Sequence, residues 1–187
     1  MTNQKNKRGF QTIDLAYIAL AAVLMAVCSW ISIPTVVPFT MQTFAVFFVL
    51  LFLGAKRGLT AIVVYLLLGI VGVPVFAEFT EGIGILLGNT GGYLVGFLFV
   101  GLIYWLAVAV LGKKLWVEAA SLAIGMLVCY AFGTAWFMIV YARTSGAVGL
   151  LTALGWCVFP FMLPDAVKLG LALVLAKRLA AVIKLKK

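Results

Sequence analysis

The sequence predicts an all-α integral membrane protein of six transmembrane helices with both termini cytoplasmic, and three observations carry that expectation. Apolar residues make up 66% of the 187 residues and charged residues only 10%, too little polar side chain to cover a soluble domain of this size. The apolar residues fall into runs punctuated by Gly, Pro and charge, and a bilayer core needs about 20 apolar residues per helix. The basic residues are also segregated. Of the 14 Lys and Arg, Lys5, Lys7, Arg8, Lys56, Arg57, Lys113, Lys114, Lys177, Arg178, Lys184, Lys186 and Lys187 fall on one side of a six-helix layout, leaving only Arg143 and Lys168 toward the other. Such a bias marks the lysine-rich side as cytoplasmic.

In chain order the helices are expected at about Thr12–Ile33, Phe39–Gly54, Leu59–Val73, Thr90–Leu111, Trp116–Tyr141 and Pro164–Ile183, with turn residues and charges as boundaries. The second and third are short for a core of about 30 Å, which implies local thinning or ends that dip beneath the following loops. The chain reads as a single membrane domain, 1–187, with a basic cytoplasmic N-terminal segment at 1–11 and a basic cytoplasmic tail at 184–187. Lys5, Lys7 and Arg8 resemble a signal-peptide n-region. The apolar run after them is too long and lacks a small-residue cleavage site, so it is expected to be retained.

Several function classes are excluded. The basic residues punctuate apolar runs instead of lining one face with interleaved aromatics, which argues against nucleic acid. There is no His, and Cys28, Cys129 and Cys157 are isolated, so neither a metal cluster nor a disulfide framework is expected. No nucleophile and base have catalytic spacing, and no cofactor is expected. The glycine-rich stretch Gly82–Gly92 lacks both the strand–GxGxxG–helix context and GxxxxGK[ST]. Acids lie only toward the ends of the layout: Glu78, Glu81 and Asp165 outside, Asp14 and Glu118 near the cytoplasmic interface. With no ATP motif and no acid at mid-membrane, uphill movement of a solute would draw its power from another protein.

What remains points to the outer side. The loops at 33–43, 72–92 and 143–163 are too apolar to hang in water and are expected to fold back over the helix ends, roofing a cavity. Asp165 and Lys168 enter the last apolar segment at a depth where a charge costs about 2.5–3.5 kcal/mol. They either form a functional site or an internal salt bridge that fixes the helix. If Pro164 sets the first helical turn, Asp165 lies among unpaired backbone N–H groups. The Gly88–Gly92 stretch either lets backbone approach a small ligand, beside Asn89, Thr90 and Tyr93, or packs helices; Gly96 and Gly101 are assigned to packing. Phe76, Phe79, Tyr93, Trp156, Phe159 and Phe161 cluster near the inferred cavity, where they can grip an apolar ring or simply fill the core. Ala22 and Ala26 give the first helix an AxxxA face, extended by Ala19 and Ser29, that serves either packing within the chain or an external partner.

Five motifs taken together resemble one family. Pro38-Phe39-Thr40-Met41-Gln42-Thr43, Tyr65-Leu66-Leu67-Leu68-Gly69, Gly72-Val73-Pro74-Val75-Phe76-Ala77, Thr90-Gly91-Gly92-Tyr93-Leu94-Val95-Gly96-Phe97 and Pro164-Asp165-Ala166-Val167-Lys168 are similar, in order, to the BioY family. Its members are biotin-specific S components of energy-coupling factor (ECF) transporters. The sequence departs from the family pattern at Asn89, where proline is more usual, and at Leu163-Pro164-Asp165, which lacks a glycine before the acid.

The resemblance implies a six-helix S-component fold and a biotin pocket near the outer face, in a bacterial plasma membrane. It also implies partnership with a transmembrane coupling subunit and two cytoplasmic ATPases, docked partly through the small-residue face that Ala22 and Ala26 match. ATP would be used only by those partners, and delivery would involve toppling of the S component in the bilayer.

The chemistry of biotin matches available side chains. Asp165 suits the urea N–H groups, Asn89 or Lys168 the urea oxygen, and Arg143 or Lys168 the tail carboxylate. Phe79, Tyr93 and Trp156 suit the ring walls, Thr40 and Gln42 the closure from the first loop, and Thr90, Gly91 and Gly92 a close backbone approach. An S component for another small vitamin and a stand-alone biotin transporter are the competing readings.

Overall fold

Helices form where the apolar runs lie, and the polar interruptions end them. The structure is a computed structural model that describes residues 11–182. Apart from Gln11, the basic N-terminal segment with Lys5, Lys7 and Arg8 therefore lies outside the described residues, as do Ile183 and the tail with Lys184, Lys186 and Lys187.

Helix α1 spans Thr12–Trp30, and the Asp14 carboxylate accepts the Gln11 backbone N–H at 2.9 Å to close its first turn. A two-residue hairpin follows, β1 (Ser32–Ile33) pairing antiparallel with β2 (Phe39–Thr40). Helices α2 (Gln42–Leu53) and α3 (Ala55–Ile70) turn back on each other at Gly54, whose φ of 83° is open to a residue without Cβ. After a 3-10 turn at Ala77–Phe79 and the short α4 (Ile83–Leu87) come the long antiparallel pair α5 (Gly91–Leu111) and α6 (Leu115–Thr144). Helices α7 (Leu150–Cys157) and α8 (Phe159–Val182) close the chain.

All six expected helices are present, with ends shifted by a few residues. The largest shift is in α8, which begins at Phe159 and carries Pro164 inside it. Pro160 lies in its first turn, where a missing N–H costs nothing, so the helix starts one proline earlier than expected. Asp165 consequently sits in the second turn and is not held by a free helix N-terminus. The outward loops, expected to fold back over the helix ends, contain the hairpin, the 3-10 turn, α4 and α7. Among the described residues, four stretches are long and apolar enough to cross a bilayer: Thr12–Trp30, Gly91–Leu111, Leu115–Thr144 and Leu150–Val182. Helices α2 and α3, at 12 and 16 residues, are shorter.

Small residues set the distances between helices. A Cβ on Gly96 would meet Cys129 Sγ at 2.5 Å, and one on Gly101 would meet Leu59 Cδ1 at 2.7 Å, so both glycines serve packing. Around these contacts Tyr65, Tyr104, Phe47, Phe76 and Phe137 are fully buried, while Leu20, Leu106, Val110, Leu163 and Val182 face outward. Apolar side chains on the outside suit a lipid surround.

Ala22 and Ala26 are 1% and 4% exposed, covered by the chain's own helices. This corrects the expected docking role: a face already packed inside the chain offers no surface to a partner, and its small side chains instead let α1 approach α2 and α3. Ala22→Trp is therefore expected to lose about 3 kcal/mol or more of stability through overpacking, read by thermal unfolding in detergent. A variant as stable as the wild type would return the residue to the surface.

Candidate functional site

A cavity of about 210 Å³ lies between α2, α5, α6 and α8, with Val37, Pro38, Ala77, Glu78 and Thr80 from the connecting loops also lining it. Its walls are mostly apolar, from Val37, Phe76, Leu94, Phe97, Met126 and Phe161, with Cys129 and Cys157 among them. Polar groups converge in one part of the wall: Thr40, Gln42, Thr43, Tyr130, Asp165 and Lys168.

Asp165 and Lys168 are 4% and 5% exposed. Burying two ions costs several kcal/mol each unless their bonding capacity is met, and here it is met closely. Lys168 Nζ lies 2.8 Å from Asp165 Oδ1, and donates also to the Thr40 carbonyl at 2.7 Å and to Thr43 Oγ1 at 3.1 Å. That uses all three ammonium protons. The ammonium stands 4.2 Å from the centre of the Phe39 ring, a cation–π contact. Thr43 donates to Asp165 Oδ1 at 2.7 Å, and Tyr130 donates to Oδ2 at 2.5 Å. A single patch thus offers a strong acceptor and a strong donor, assembled from β2, α2, α6 and α8.

Tyr130→Phe removes a hydrogen bond to a buried carboxylate and is expected to cost about 1.5–3 kcal/mol. Thermal unfolding of the purified variant measures it, and an unchanged midpoint would mean that the hydroxyl does not support the acid.

Two further polar residues are fixed from behind. Gln42 Nε2 donates at 2.7 Å to the Tyr65 hydroxyl, which donates to the Val75 carbonyl at 2.9 Å, where the Ser29 hydroxyl also donates at 2.6 Å. The Tyr93 hydroxyl is paired with Thr134 Oγ1 at 3.0 Å, while Tyr93 also lines the cavity.

Of the candidate ligand-binding residues and cavity aromatics singled out in the sequence, Thr40, Gln42, Phe76, Thr90, Tyr93, Phe161, Asp165 and Lys168 line this cavity. The others do not. Phe79 is 60% exposed and stacks on Trp30 at 4.9 Å between ring centres. Trp156 is 39% exposed and meets Tyr141 edge-on at 6.0 Å. Arg143 is exposed in the last turn of α6, and Asn89 is half-buried beside Thr90. Gly91 and Gly92 are buried at the head of α5, where a Cβ on Gly92 would meet Trp136 Cβ at 2.4 Å, so close helix packing explains that glycine.

Thr43, Tyr130, Phe39 and Tyr65 were not among the predicted site residues. Thr43 stands in the same short motif as Thr40 and Gln42 and was legible there. Tyr130 lies in the middle of an apolar run, and its one signal was a hydroxyl that a buried tyrosine needs to satisfy.

A profile of the BioY family matches residues 1–185. The biotin transporter BioY of Thermotoga maritima is 38% identical over 169 residues, covering 89% of this chain and 95% of that protein. The probable biotin transporter BioY of Pyrococcus horikoshii is 37% identical, with 89% and 95% covered. Among solved structures, the crystal structure of the S-component for biotin from an ECF-type ABC transporter superposes with a TM-score of 0.79, at 24% identity, over 97% of this chain and 95% of that one. That likeness shows a shared fold, and the match over nearly the full sequence shows that the chain belongs to the BioY family.

Proposed function

We propose that the chain binds biotin in this cavity and serves as the substrate-binding S component of an ECF-type uptake transporter. The observation that carries the reading is the buried Asp165–Lys168 pair in the wall of an otherwise apolar cavity. A cyclic urea presents two N–H donors and one carbonyl acceptor, and so needs a strong acceptor and a strong donor side by side. The thioether ring and aliphatic tail need apolar walls, which Phe76, Leu94, Phe97 and Phe161 supply. Because the charged pair is already fully bonded, ligand entry exchanges partners: urea groups take the place of Thr40 or Thr43 at Lys168 and Asp165.

Thr40, Gln42, Thr90 and Tyr93 complete the proposed contacts. Arg143 as partner of the tail carboxylate, together with Asn89, Gly91, Gly92, Phe79 and Trp156, requires the outer loops to close further. The names of the Thermotoga and Pyrococcus relatives support biotin as the ligand, and the shared fold supports the S-component role.

In this reading the chain is a binding subunit and not an enzyme, crosses a bacterial plasma membrane six times with both termini cytoplasmic, and works with a coupling subunit and two ATPases. Exposed Ala19 and Val23 on α1 are the proposed docking face in place of Ala22 and Ala26.

Mass spectrometry of small molecules released on denaturing the purified protein tests the ligand. Biotin is the expected species, and a different vitamin would replace it in the reading. Reconstituted uptake that requires the partner module is expected, whereas uptake by the chain alone would favour a stand-alone transporter.

A further inference from the structure

A second cavity, of about 270 Å³, opens at the other end of the bundle. On α2, Thr43 lines the first cavity and Leu51 the second; on α8, Lys168 lines the first and Lys177 the second. At 1.5 Å per residue the two cavities are offset by about 12–14 Å along these helices. The second cavity exists because α2 stops early. At 12 residues it is about 18 Å long, whereas α6 and α8, which also line the recess, run to 30 and 24 residues. The shortfall leaves a recess between longer helices, which a bilayer must fill with something.

The recess is lined by both charge and hydrocarbon. Lys113, from the α5–α6 link, and Lys177, from α8, stand with Glu118, while Leu51, Leu115 and Leu173 form apolar wall. Glu118 is 9% exposed, and its Oε1 accepts the Tyr104 hydroxyl at 3.1 Å. Lys113 Nζ is 3.7 Å from that oxygen, beyond hydrogen-bond length, so the acid positions the ammonium without consuming its protons. Lys177 is exposed. Lys114 and Arg178 adjoin these two in sequence, so this end of the bundle is a basic rim of the kind that lies at headgroup level.

We propose that this recess binds an anionic phospholipid, with the headgroup phosphate between Lys113 and Lys177 and an acyl chain along Leu51, Leu115 and Leu173. Free phosphate satisfies the two ammonium groups but leaves the leucine wall bare; a lipid satisfies both. The bound lipid fills the space that α2 is too short to occupy. The proposal is independent of what the first cavity holds.

Native mass spectrometry of the detergent-purified full chain, titrated with a short-chain phosphatidylglycerol, tests it, with inorganic phosphate and a diacylglycerol as parallel probes. The wild type is expected to take up one phosphatidylglycerol. Lys113→Gln/Lys177→Gln is expected to raise the half-saturating concentration about twenty-five-fold, at about fivefold per lysine, and Lys113→Arg/Lys177→Arg to restore binding. Phosphatidylglycerol binding by the Gln variant at wild-type concentrations would overturn the site, as would phosphate or diacylglycerol binding as well as the lipid. An unchanged thermal midpoint of the Gln variant, together with unchanged retention of whatever ligand the first cavity carries, separates loss of this site from misfolding and from failure of the biotin reading.

Discussion

Lys168→Met is expected to lower unfolding stability by about 3–5 kcal/mol, because it leaves the Asp165 carboxylate charged and buried without its cation. The acid is 4% exposed, and neutral hydrogen-bond partners do not replace the charge of the lysine. The double variant Asp165→Asn/Lys168→Met is expected to regain most of that loss. It removes both charges together; the amide oxygen can accept from one of the two hydroxyls that now donate to separate carboxylate oxygens, Thr43 and Tyr130, while the amide NH2 donates to the oxygen of the other. Binding of the proposed ligand behaves differently: biotin affinity is expected to fall at least tenfold, about 1.4 kcal/mol, in both variants. Unfolding in detergent and calorimetric titration read the two effects separately. A double variant as unstable as the single one would reject the pairing account, and one that bound biotin like the wild type would remove the pair from the ligand site.

Gly91→Ala is the second large effect. A Cβ there would fall 1.7 Å from the Leu86 carbonyl oxygen and 2.3 Å from its carbon. The obstacle is backbone, which cannot rotate aside as a side chain can, so the junction of α4 and α5 has to open. The expected cost is about 3 kcal/mol, the upper end of ordinary overpacking, or more. Thr90 and Tyr93 flank this junction and line the cavity, so ligand binding should fail with it. Gly170→Ala gives the contrast: nothing lies within 4 Å of its added Cβ, and removing a mid-helix glycine is expected to stabilise by about 1 kcal/mol. A Gly91→Ala protein that melts with the wild type would show that the junction is already open.

The helical regions were readable in advance because each apolar run is a local property of the chain, and the backbone must satisfy its own hydrogen bonds wherever lipid replaces water. The error at α8 has an equally local origin. Two prolines four residues apart, Pro160 and Pro164, both suit a helix start, and only the path out of α7 selects the first. Ala22 and Ala26 illustrate a different limit. A small-residue face announces close packing, but the spacing is the same whether the neighbour is another protein or the chain's own helices.

The sequence by itself determined the class of the protein, the order of its helices, and the two buried charges that call for explanation. These follow from composition, from apolar run length and from the cost of an ion in hydrocarbon. Only the tertiary structure decided what surrounds the charges. Tyr130 reaches Asp165 across 35 residues and Thr43 reaches it across 122, while Phe79, Arg143 and Trp156 lie outside the cavity despite their promising positions in the chain. Helical periodicity shows that a side chain has a preferred face, but which neighbour that face meets depends on how the helices pack, and that depends on every other face in the bundle.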